Sequence, residues 1–293
     1  MRAAGDKEES MIINAYAKIN WSLDTVGVRE DGYHLLDMIM QTVSLHDTLT
    51  MEIAPALTLR TEGPVPVLSG PDNLALRAAQ ALREYANIGT GADIRLHKRI
   101  PIGAGLGGGS SDAAAVLRGL NRLWKLGLPD STLAQISLPL GADIPYCLHG
   151  GLCRVQGIGE KIYPMKSGRV WQLVIIQPCR GLSTRQMFGA LGGAEPSRHP
   201  DIPGAARALE EGSLSALTAS MGNTLQEVSI QLRPQIRQAL TALKEHGARA
   251  ALMTGSGSAV FGVFSDERSA RTAGDSLSKK YPVCHVCRTM GGL

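Results

Sequence analysis

The sequence predicts an α+β protein of two domains, and three observations lead to this prediction. A chain of 293 residues is long for one hydrophobic core, because chains divide into domains of about 50–200 residues. A dense run of glycines within residues 101–115 joins a strand pattern to a helix pattern. From about residue 165 onward the order is β-α-β-β-α-β with an insertion, which is typical of a ferredoxin-like layer. We therefore expect an N-terminal domain over 11–165 and a C-terminal domain over 166–293.

The N-terminal domain mixes strand and helix patterns before the glycines. Alternating and partly β-branched residues predict strands over 11–27 and 49–61. Apolar residues on one helical stripe predict a helix over 73–86. The stretch 92–101 alternates again and is expected to form a strand that runs directly into the glycines.

A helix is expected to follow the glycines. One helical face is formed by apolar residues at spacings of four, three and four, namely Ala113, Leu117, Leu120 and Trp124. Gly127 and Pro129 supply the stop signal. The polar segment 110–112, Ser-Ser-Asp, is expected at the N-cap and first turn. The glycines therefore lead from a strand to a helix N-terminus.

The C-terminal domain alternates strands, helices and turns. Pro234 and Gly247 mark the start and the end of its clearest helix pattern. The expected order is a strand at 169–178, a short helix from 183–191, a Gly/Pro-rich loop at 192–204, the helix at 234–247, strand-turn-strand within 249–264, a helix at 266–279 and a strand at 282–289.

Composition and charge favour a protein that handles a small molecule. The chain is 44% hydrophobic and 19% charged, with a net charge of +4, which suits a small anionic ligand. No Lys/Arg cluster is interleaved with aromatic residues, so we expect no nucleic-acid partner. The first ten residues are charged and lack an apolar core, and the apolar stretch 173–176 is too short to cross a bilayer. We therefore expect neither a secretory signal nor a membrane span.

The cysteines favour a reducing compartment. The chain has five cysteines, which is an odd number, and they are scattered along the sequence. We therefore expect free thiols in the cytoplasm and not a disulfide framework. Cys284 and Cys287 lack the second pair that a zinc site requires. Alternating positions of a terminal strand are the expected role of this pair.

The glycine run is a candidate anion site, since a helix N-terminus offers unsatisfied N–H groups and a favourable dipole. A Walker A loop is excluded, because residues 109–111 read Gly-Ser-Ser with no lysine. A Rossmann fingerprint on Gly103, Gly105 and Gly108 is a weak match. The preceding strand is half polar, and helix continues where a second strand would be needed. A plain surface turn explains one or two glycines but not the dense run.

The segment PIGAGLGGGSSDAAA resembles the phosphate-loop signature of the GHMP small-molecule kinases. The resemblance implies a ribosomal protein S5 domain 2-like N-terminal domain, a ferredoxin-like C-terminal domain, and ATP and Mg²⁺ as cofactors. It also implies a set of consecutive residues that contact ATP, namely Pro101, Ile102, Gly103, Ala104, Gly105, Leu106, Gly107, Gly108, Gly109, Ser110 and Ser111. The Mg²⁺ ligands stay open.

Other stretches resemble the same family in the same order. In NAYAKINWSL the resemblance assigns a catalytic lysine to Lys18 and a substrate contact to Asn20. Taken alone, a strand lysine is more often a solvated edge charge. Tyr33 and His34 follow an Asp-Gly turn signal, and an aromatic ring beside a hydrogen-bonding side chain can stack on a base and bind its edge.

The triple glycine and the Tyr-His pair resemble one branch of the family, which acts on a cytidine diphosphate ester of methylerythritol in the non-mevalonate route to isoprenoids. In this branch the tyrosine stacks on cytosine and the histidine bonds to it. GLSTRQMF resembles an element in which Thr184 and Phe188 line the substrate pocket. The resemblance implies transfer of the ATP γ-phosphate to the 2-hydroxyl group of the methylerythritol moiety.

The candidate base lies in PLGADIPYCLHGG, where Asp143 precedes Pro145. Helix-end capping is the ordinary role of such an aspartate, and we expect Pro145 to end a local helix. The resemblance makes Asp143 the general base, with Lys18 keeping it ionised.

Two further stretches bear on the resemblance. MTGSGSAVFG resembles a glycine turn that packs under the phosphate loop, while MGNTLQEV departs from the family by carrying Thr224 and Gln226 at two commonly acidic positions.

Alternative functions stay open at this point. The first alternative is a GHMP kinase for another alcohol, such as homoserine, mevalonate or a sugar. A nucleotide-binding oxidoreductase fits less well, and a catalytically silent homologue would not need Lys18 and Asp143. We expect the chain to act as a monomer or a homodimer. Its expected partner is a small-molecule substrate.

Overall fold

The computed structural model describes residues 10–30, 32–67, 69–181, 187, 189–190 and 198–292. The chain divides into two compact units, each built from several segments. Among the described residues the first unit contains 10–15, 46–100 and 108–148, and the second contains the others. These units do not follow the simple sequence division into 11–165 and 166–293, which stays a prediction. Two long strands, β1 (Ser10–Val28) and β2 (His34–Ala54), contribute residues to both units.

In the first unit, helices pack together beside three paired strand segments. Strand β4 (Gly91–His97) pairs in parallel with β3 (Thr58–Glu62) and antiparallel with the second half of β2. Helix α1 (Leu74–Ala86) packs against α2 (Gly108–Leu123). Two short helices follow, α3 (Asp130–Ser137) and α4 (Ile144–His149).

In the second unit, the first half of β2 pairs antiparallel with β5 (Leu152–Gly157), which pairs with β6 (Lys161–Met165). A separate four-stranded antiparallel sheet has the order β10-β7-β9-β8. Its strands are β7 (Gln172–Ile176), β8 (Ala250–Met253), β9 (Val260–Phe264) and β10 (Cys284–Arg288). The helices of this unit are α5 (Ile202–Glu211), α6 (Leu214–Ser220), α7 (Gln226–Leu232), α8 (Gln235–Glu245) and α9 (Glu267–Leu277).

The core of the second unit is centred on aromatic residues. Trp21 on β1 makes edge-on contacts with Trp171 and Phe261, at centroid distances of 5.7 and 5.4 Å. All three rings are fully buried, and edge-to-face pairs at this spacing favour a fixed packing arrangement.

The predicted α+β class and the ferredoxin-like strand order, β10-β7-β9-β8 in the second unit, are confirmed.

Several element boundaries differ from the sequence-based expectation. The stretch 49–61 forms parts of two strands, because the chain turns after Ala54. The strand expected at 92–101 ends at His97. Helix α2 begins at Gly108, so Ser110 and Ser111 lie in its first turn and none of residues 110–112 is its N-cap.

Two other expectations concern the ends of helices. Pro145 lies at the second position of α4 and therefore begins this helix instead of ending it. The short helix expected from 183–191 lies largely outside the described residues. Cys284 and Cys287 lie on β10 as expected. Within the described ranges, every helix is too short or too polar to span a bilayer.

Candidate active site

The glycine loop (residues 101–107) alternates buried anchors with glycines of positive φ. Pro101, Ala104 and Leu106 are buried, so the backbone is held down at these points. Between them, the φ angles are +60° at Gly103 and +77° at Gly105, and Gly107 has +70°. L-residues with a side chain rarely adopt these angles.

The glycines of this loop are required for different reasons. A Cβ atom on Gly105 would overlap the carbonyl oxygen of Thr254, and one on Gly107 would lie 3.1 Å from Cγ of Lys18. A Cβ on Gly103 would meet nothing within 4 Å, and this residue is exposed. Gly105 and Gly107 are therefore fixed by packing, whereas Gly103 leaves bare backbone open to a ligand.

The turn at 254–259 joins β8 to β9 and supports the glycine loop, as its sequence indicated. The amide of Ala259 donates to the carbonyl of Ala104 at 3.1 Å. The hydroxyl of Thr254 lies 3.4 Å from the carbonyl oxygen of Gly105. The loop is thus bound to this turn at two consecutive residues.

Lys18 lies on β1 with both its backbone and its side chain against the loop. Its amide donates to the carbonyl of Leu106 at 3.0 Å, and its methylene groups pass beside Gly107. Nζ donates to Oδ1 of Asn20 at 2.8 Å. The side chain is buried, with 4% of its surface exposed. This lysine is therefore not the solvated edge charge that a lone strand lysine usually is.

Asn20 is buried to 1% exposure, and its groups contact the protein. Its amide donates to Oγ1 of Thr254 at 3.0 Å, and Nδ2 lies 3.4 Å from Sδ of Met38. These contacts orient Lys18. The substrate contact that the resemblance assigns to Asn20 stays a prediction.

Helix α2 continues directly from the loop, and its first turn contains the remaining glycines and the two serines. The first amides of a helix have no partner within it and favour an anion. Gly109 is exposed and Ser110 is half-buried, whereas Ser111 is buried. Of the two hydroxyl groups, that of Ser110 is thus the one with access to a ligand.

Asp112 is not a cap but a member of a buried charge cluster with Asp47 and Lys98. Nζ of Lys98 donates to both carboxylates, at 2.7 Å to Asp112. Asp47 also accepts the amide of Ile100 at 2.8 Å and that of Arg99. The cluster therefore ties the end of β4 and the following segment to α2 within the first unit.

The charges of this cluster balance when one carboxyl holds a proton. Burial raises the pKa of Asp112 well above its usual range; Lys98 opposes the rise, and Asp47 adds to it. Within the described part of the chain, Oδ1 of Asp112 has no hydrogen-bond partner. A protonated Asp112 leaves one ammonium and one carboxylate, which lowers the cost of burial.

Asp143 immediately precedes α4, and its carbonyl accepts the amide of Cys147 at 3.0 Å. The residue is half-buried. Its position agrees with the expected helix end, and its role as the general base stays a prediction. Asp143 belongs to the first unit and Lys18 to the second.

Tyr33 and His34 follow a tight turn between β1 and β2. The amide of Arg29 donates to the carbonyl of Tyr33 at 2.7 Å, and Gly32 has φ of +85°. The Tyr33 ring is 60% exposed, with Cζ of Arg29 5.5 Å from its centroid. His34 is half-buried at the first position of β2. An exposed ring at a fixed turn can stack on a flat ligand.

Thr184 and Phe188, the other residues assigned to the substrate pocket, lie outside the described residues. The segment just before them is described and contacts the glycine loop. Nε2 of Gln177 donates to the carbonyl of Ile102 at 3.0 Å, and a Cβ on Gly181 would overlap the carbonyl oxygen of Gly103. Sequence reasoning missed these contacts.

The two departures from the family pattern have structural partners. Oγ1 of Thr224 accepts the amide of Thr25 at 3.2 Å. Oε1 of Gln226 accepts the amide of Met253 at 3.0 Å. Thr224, just before α7, and Gln226, its first residue, therefore connect the start of this helix to strands β1 and β8 of the second unit.

Family models agree with this arrangement of fold and loop. The model described as GHMP kinases N terminal domain matches residues 73–151, and the model described as GHMP kinases C terminal matches residues 205–283. The chain belongs to the GHMP kinase family, so it is a phosphotransferase that uses ATP. The resemblance inferred from the glycine segment is confirmed.

Individual relatives narrow the comparison. The chain is 39% identical over 280 residues to a Clostridium tetani protein named 4-diphosphocytidyl-2-C-methyl-D-erythritol kinase, and the match covers 96% of this chain and 100% of the relative. A crystal structure of 4-(cytidine 5'-diphospho)-2C-methyl-D-erythritol kinase matches with a TM-score of 0.82 and 33% identity, over 96% of this chain and 100% of that one.

A more distant structure shares the fold alone. Mevalonate kinase of L. major, in complex with R-mevalonate, matches with a TM-score of 0.76 but only 16% identity, over 99% of each chain. The substrate of that enzyme therefore carries no argument for this chain.

Proposed function

We propose that this chain transfers the γ-phosphate of ATP to the 2-hydroxyl of 4-diphosphocytidyl-2-C-methyl-D-erythritol, a step of isoprenoid precursor synthesis. The observation that carries the kinase chemistry is Lys18, whose backbone and side chain both lie against the glycine loop. The substrate is supported by relatives that match 96% of this chain and whose name states this compound.

The ATP phosphates bind at the glycine loop and at the start of α2. Gly103 and Gly109 are exposed, so a phosphate oxygen can approach their backbone without a Cβ in the way. The bare backbone at Gly103 fits a phosphate group. Ser110 adds a hydroxyl group, and the remaining residues from Pro101 to Ser111 shape the cradle.

Lys18 and Asp143 carry the chemistry. Phosphoryl transfer passes through a loose transition state, so positioning and charge stabilisation account for most of the acceleration. The Lys18 ammonium offsets charge on the attacking oxygen. The Asp143 carboxylate, which is half-buried before α4, accepts the proton of the attacking hydroxyl.

Mg²⁺ accompanies ATP and neutralises charge on its phosphates when it is bound. The described residues contain no group of three His, Cys, Asp or Glu side chains that could form a protein cage. Ser110, in the first turn of α2, has the hydroxyl group that could contact the ion.

The cytidine end of the substrate binds at the turn between β1 and β2. The exposed ring of Tyr33 stacks on cytosine, and His34 hydrogen-bonds to the edge of the base. Thr184 and Phe188 complete the pocket in this proposal, with Phe188 on the other face of the base.

The test is ADP release from Mg-ATP on addition of the cytidine diphosphate substrate, measured beside homoserine, mevalonate and galactose. Release with the cytidine compound alone is the expected result. Release with another alcohol instead would replace this function by that of a different GHMP kinase.

The base is tested by Asp143→Asn against Asp130→Asn. Both aspartates lie at the start of a helix of the first unit, so the control matches the change in charge and the position at a helix start, although Asp130 is more exposed and lies 3.6 Å from Arg118. Asp143→Asn should lower kcat by roughly 100-fold or more, while Asp130→Asn should leave it unchanged. Near-full turnover of a folded Asp143→Asn enzyme would remove Asp143 from this role.

We place the protein in the cytoplasm, acting as a monomer or a homodimer. All five cysteines are free thiols, and cytoplasmic reductants keep thiols in this state. Sedimentation of the purified chain distinguishes the two assembly states.

A further inference from the structure

Thr254 is a buried residue that follows β8 and that the sequence did not single out. Its side chain is fully buried, with 0% exposure. Oγ1 accepts the amide of Asn20 at 3.0 Å. The hydroxyl lies 3.3 Å from Oδ1 of Asn20 and 3.4 Å from the carbonyl oxygen of Gly105. One side chain thus contacts both β1 and the glycine loop.

The two partners of Thr254, Asn20 and the glycine loop, both bind Lys18. Oδ1 of Asn20 accepts Nζ of Lys18 at 2.8 Å, so Asn20 sets the position of the ammonium. The amide of Lys18 donates to the carbonyl of Leu106, the residue after Gly105. Thr254 therefore contacts Asn20, which binds the Lys18 ammonium. It also contacts Gly105, the neighbour of Leu106, whose carbonyl accepts the Lys18 amide.

We propose that Thr254 is a positioning residue for phosphoryl transfer, which holds the Lys18 ammonium in register with the glycine loop through Asn20 and Gly105. This inference rests on the proposed kinase function. Its physical basis is that a misplacement of about 1 Å in a reacting arrangement can cost about 100-fold in rate. Valine has the shape of threonine but offers neither the acceptor nor the donor.

A merely structural threonine would give a different result, and the same unit supplies one for comparison. Thr289 is also buried, with 2% exposure. Its Oγ1 accepts the amide of Trp171 at 2.9 Å, and its amide donates to the carbonyl of Trp171 at 3.0 Å. Thr289→Val therefore removes the same kind of hydrogen bond, but at a site that does not involve Lys18 or the glycine loop.

The experiment compares Thr254→Val, Thr254→Ser and Thr289→Val by thermal unfolding and by steady-state kinetics. Both valine variants should lose similar thermal stability. Thr254→Val should lower kcat by about tenfold or more, with KM for ATP nearly unchanged, because the interaction acts in the transition state. Thr254→Ser should restore kcat, since serine keeps the hydroxyl. Thr289→Val should keep the kcat of the parent enzyme.

The proposal is overturned when Thr254→Val and Thr289→Val have equal kcat, or when the loss appears in KM alone. If Thr254→Val does not fold, Thr254→Ser decides. A large loss of kcat in the serine variant would show that the methyl group, and not the hydroxyl, is what matters.

A readout without turnover separates this proposal from the proposed function. Amide hydrogen exchange at Asn20 and Lys18 should speed up in Thr254→Val relative to Thr289→Val, because both amides belong to the network. Unchanged exchange at both would overturn the positioning role, whatever the substrate. Absence of ADP release from the parent enzyme with the cytidine compound would instead overturn the proposed function alone.

Discussion

Alanine at Gly105 should destabilise the protein far more than alanine at Gly103, although both glycines lie in one loop. Both residues have positive φ, which costs an L-residue about 1–2 kcal/mol. Only at Gly105 does the new Cβ also overlap the backbone of Thr254, and such overpacking adds about 1–3 kcal/mol. The expected losses are therefore about 2–5 kcal/mol for Gly105→Ala and about 1–2 kcal/mol for Gly103→Ala.

Thermal unfolding measures this difference, because about 1 kcal/mol shifts the midpoint of a chain of this size by about 2–4 °C. Gly103→Ala should have a kinetic effect although it costs less stability. Gly103→Ala places a methyl group on exposed backbone where we expect phosphate, so it should raise KM for ATP in a well-folded enzyme. Equal midpoints for the two variants would refute the packing argument, and an unchanged KM in Gly103→Ala would refute the phosphate contact.

Two further predictions concern charge and base recognition. The raised pKa of Asp112 means that the folded state binds the carboxyl proton more tightly than the unfolded state does. Protonation of Asp112 therefore stabilises the fold fully below the pKa of the unfolded state, and this stabilisation is lost as pH rises through the raised pKa of the folded state. Thermal midpoints across this range should fall less steeply in Asp112→Asn than in the parent, and identical slopes would contradict the assignment. Tyr33→Ala should weaken binding of the cytidine substrate in calorimetry and leave ATP affinity nearly unchanged, since the proposed role of the exposed ring is to stack on cytosine. Equal weakening of both ligands would count against that role.

Much of the fold could be predicted because the periodic patterns are local. The alternation in 11–27 agrees with β1 (Ser10–Val28), and the stripe in 73–86 agrees with α1 (Leu74–Ala86). The glycine segment also led to the family, because its run of residues resembles a signature of that family. These features depend on neighbours in the sequence, which is what a pattern can report.

Apart from the turn at 254–259, which the family resemblance placed under the glycine loop, the contacts that hold the site could not be predicted, because they join distant parts of the chain. Asn20 and Thr254 are separated by 234 positions, and neither looks unusual in its own segment. Asp112 was expected at a helix start, but burial and the Lys98 ammonium decide its role. A carboxylate near a helix N-terminus suits a cap and a buried ion pair equally well, and only the fold distinguishes them.

The two neutral residues at commonly acidic positions have a structural role that the fold makes clear. Thr224 and Gln226 each accept a backbone amide, from Thr25 and Met253. A hydroxyl or amide oxygen fills an acceptor position as a carboxylate does, without the cost of desolvating a charge. The structural role at these positions therefore needs an acceptor and not a negative charge. Neutral residues at these two positions are therefore compatible with the proposed mechanism, in which Asp143 is the proposed proton acceptor.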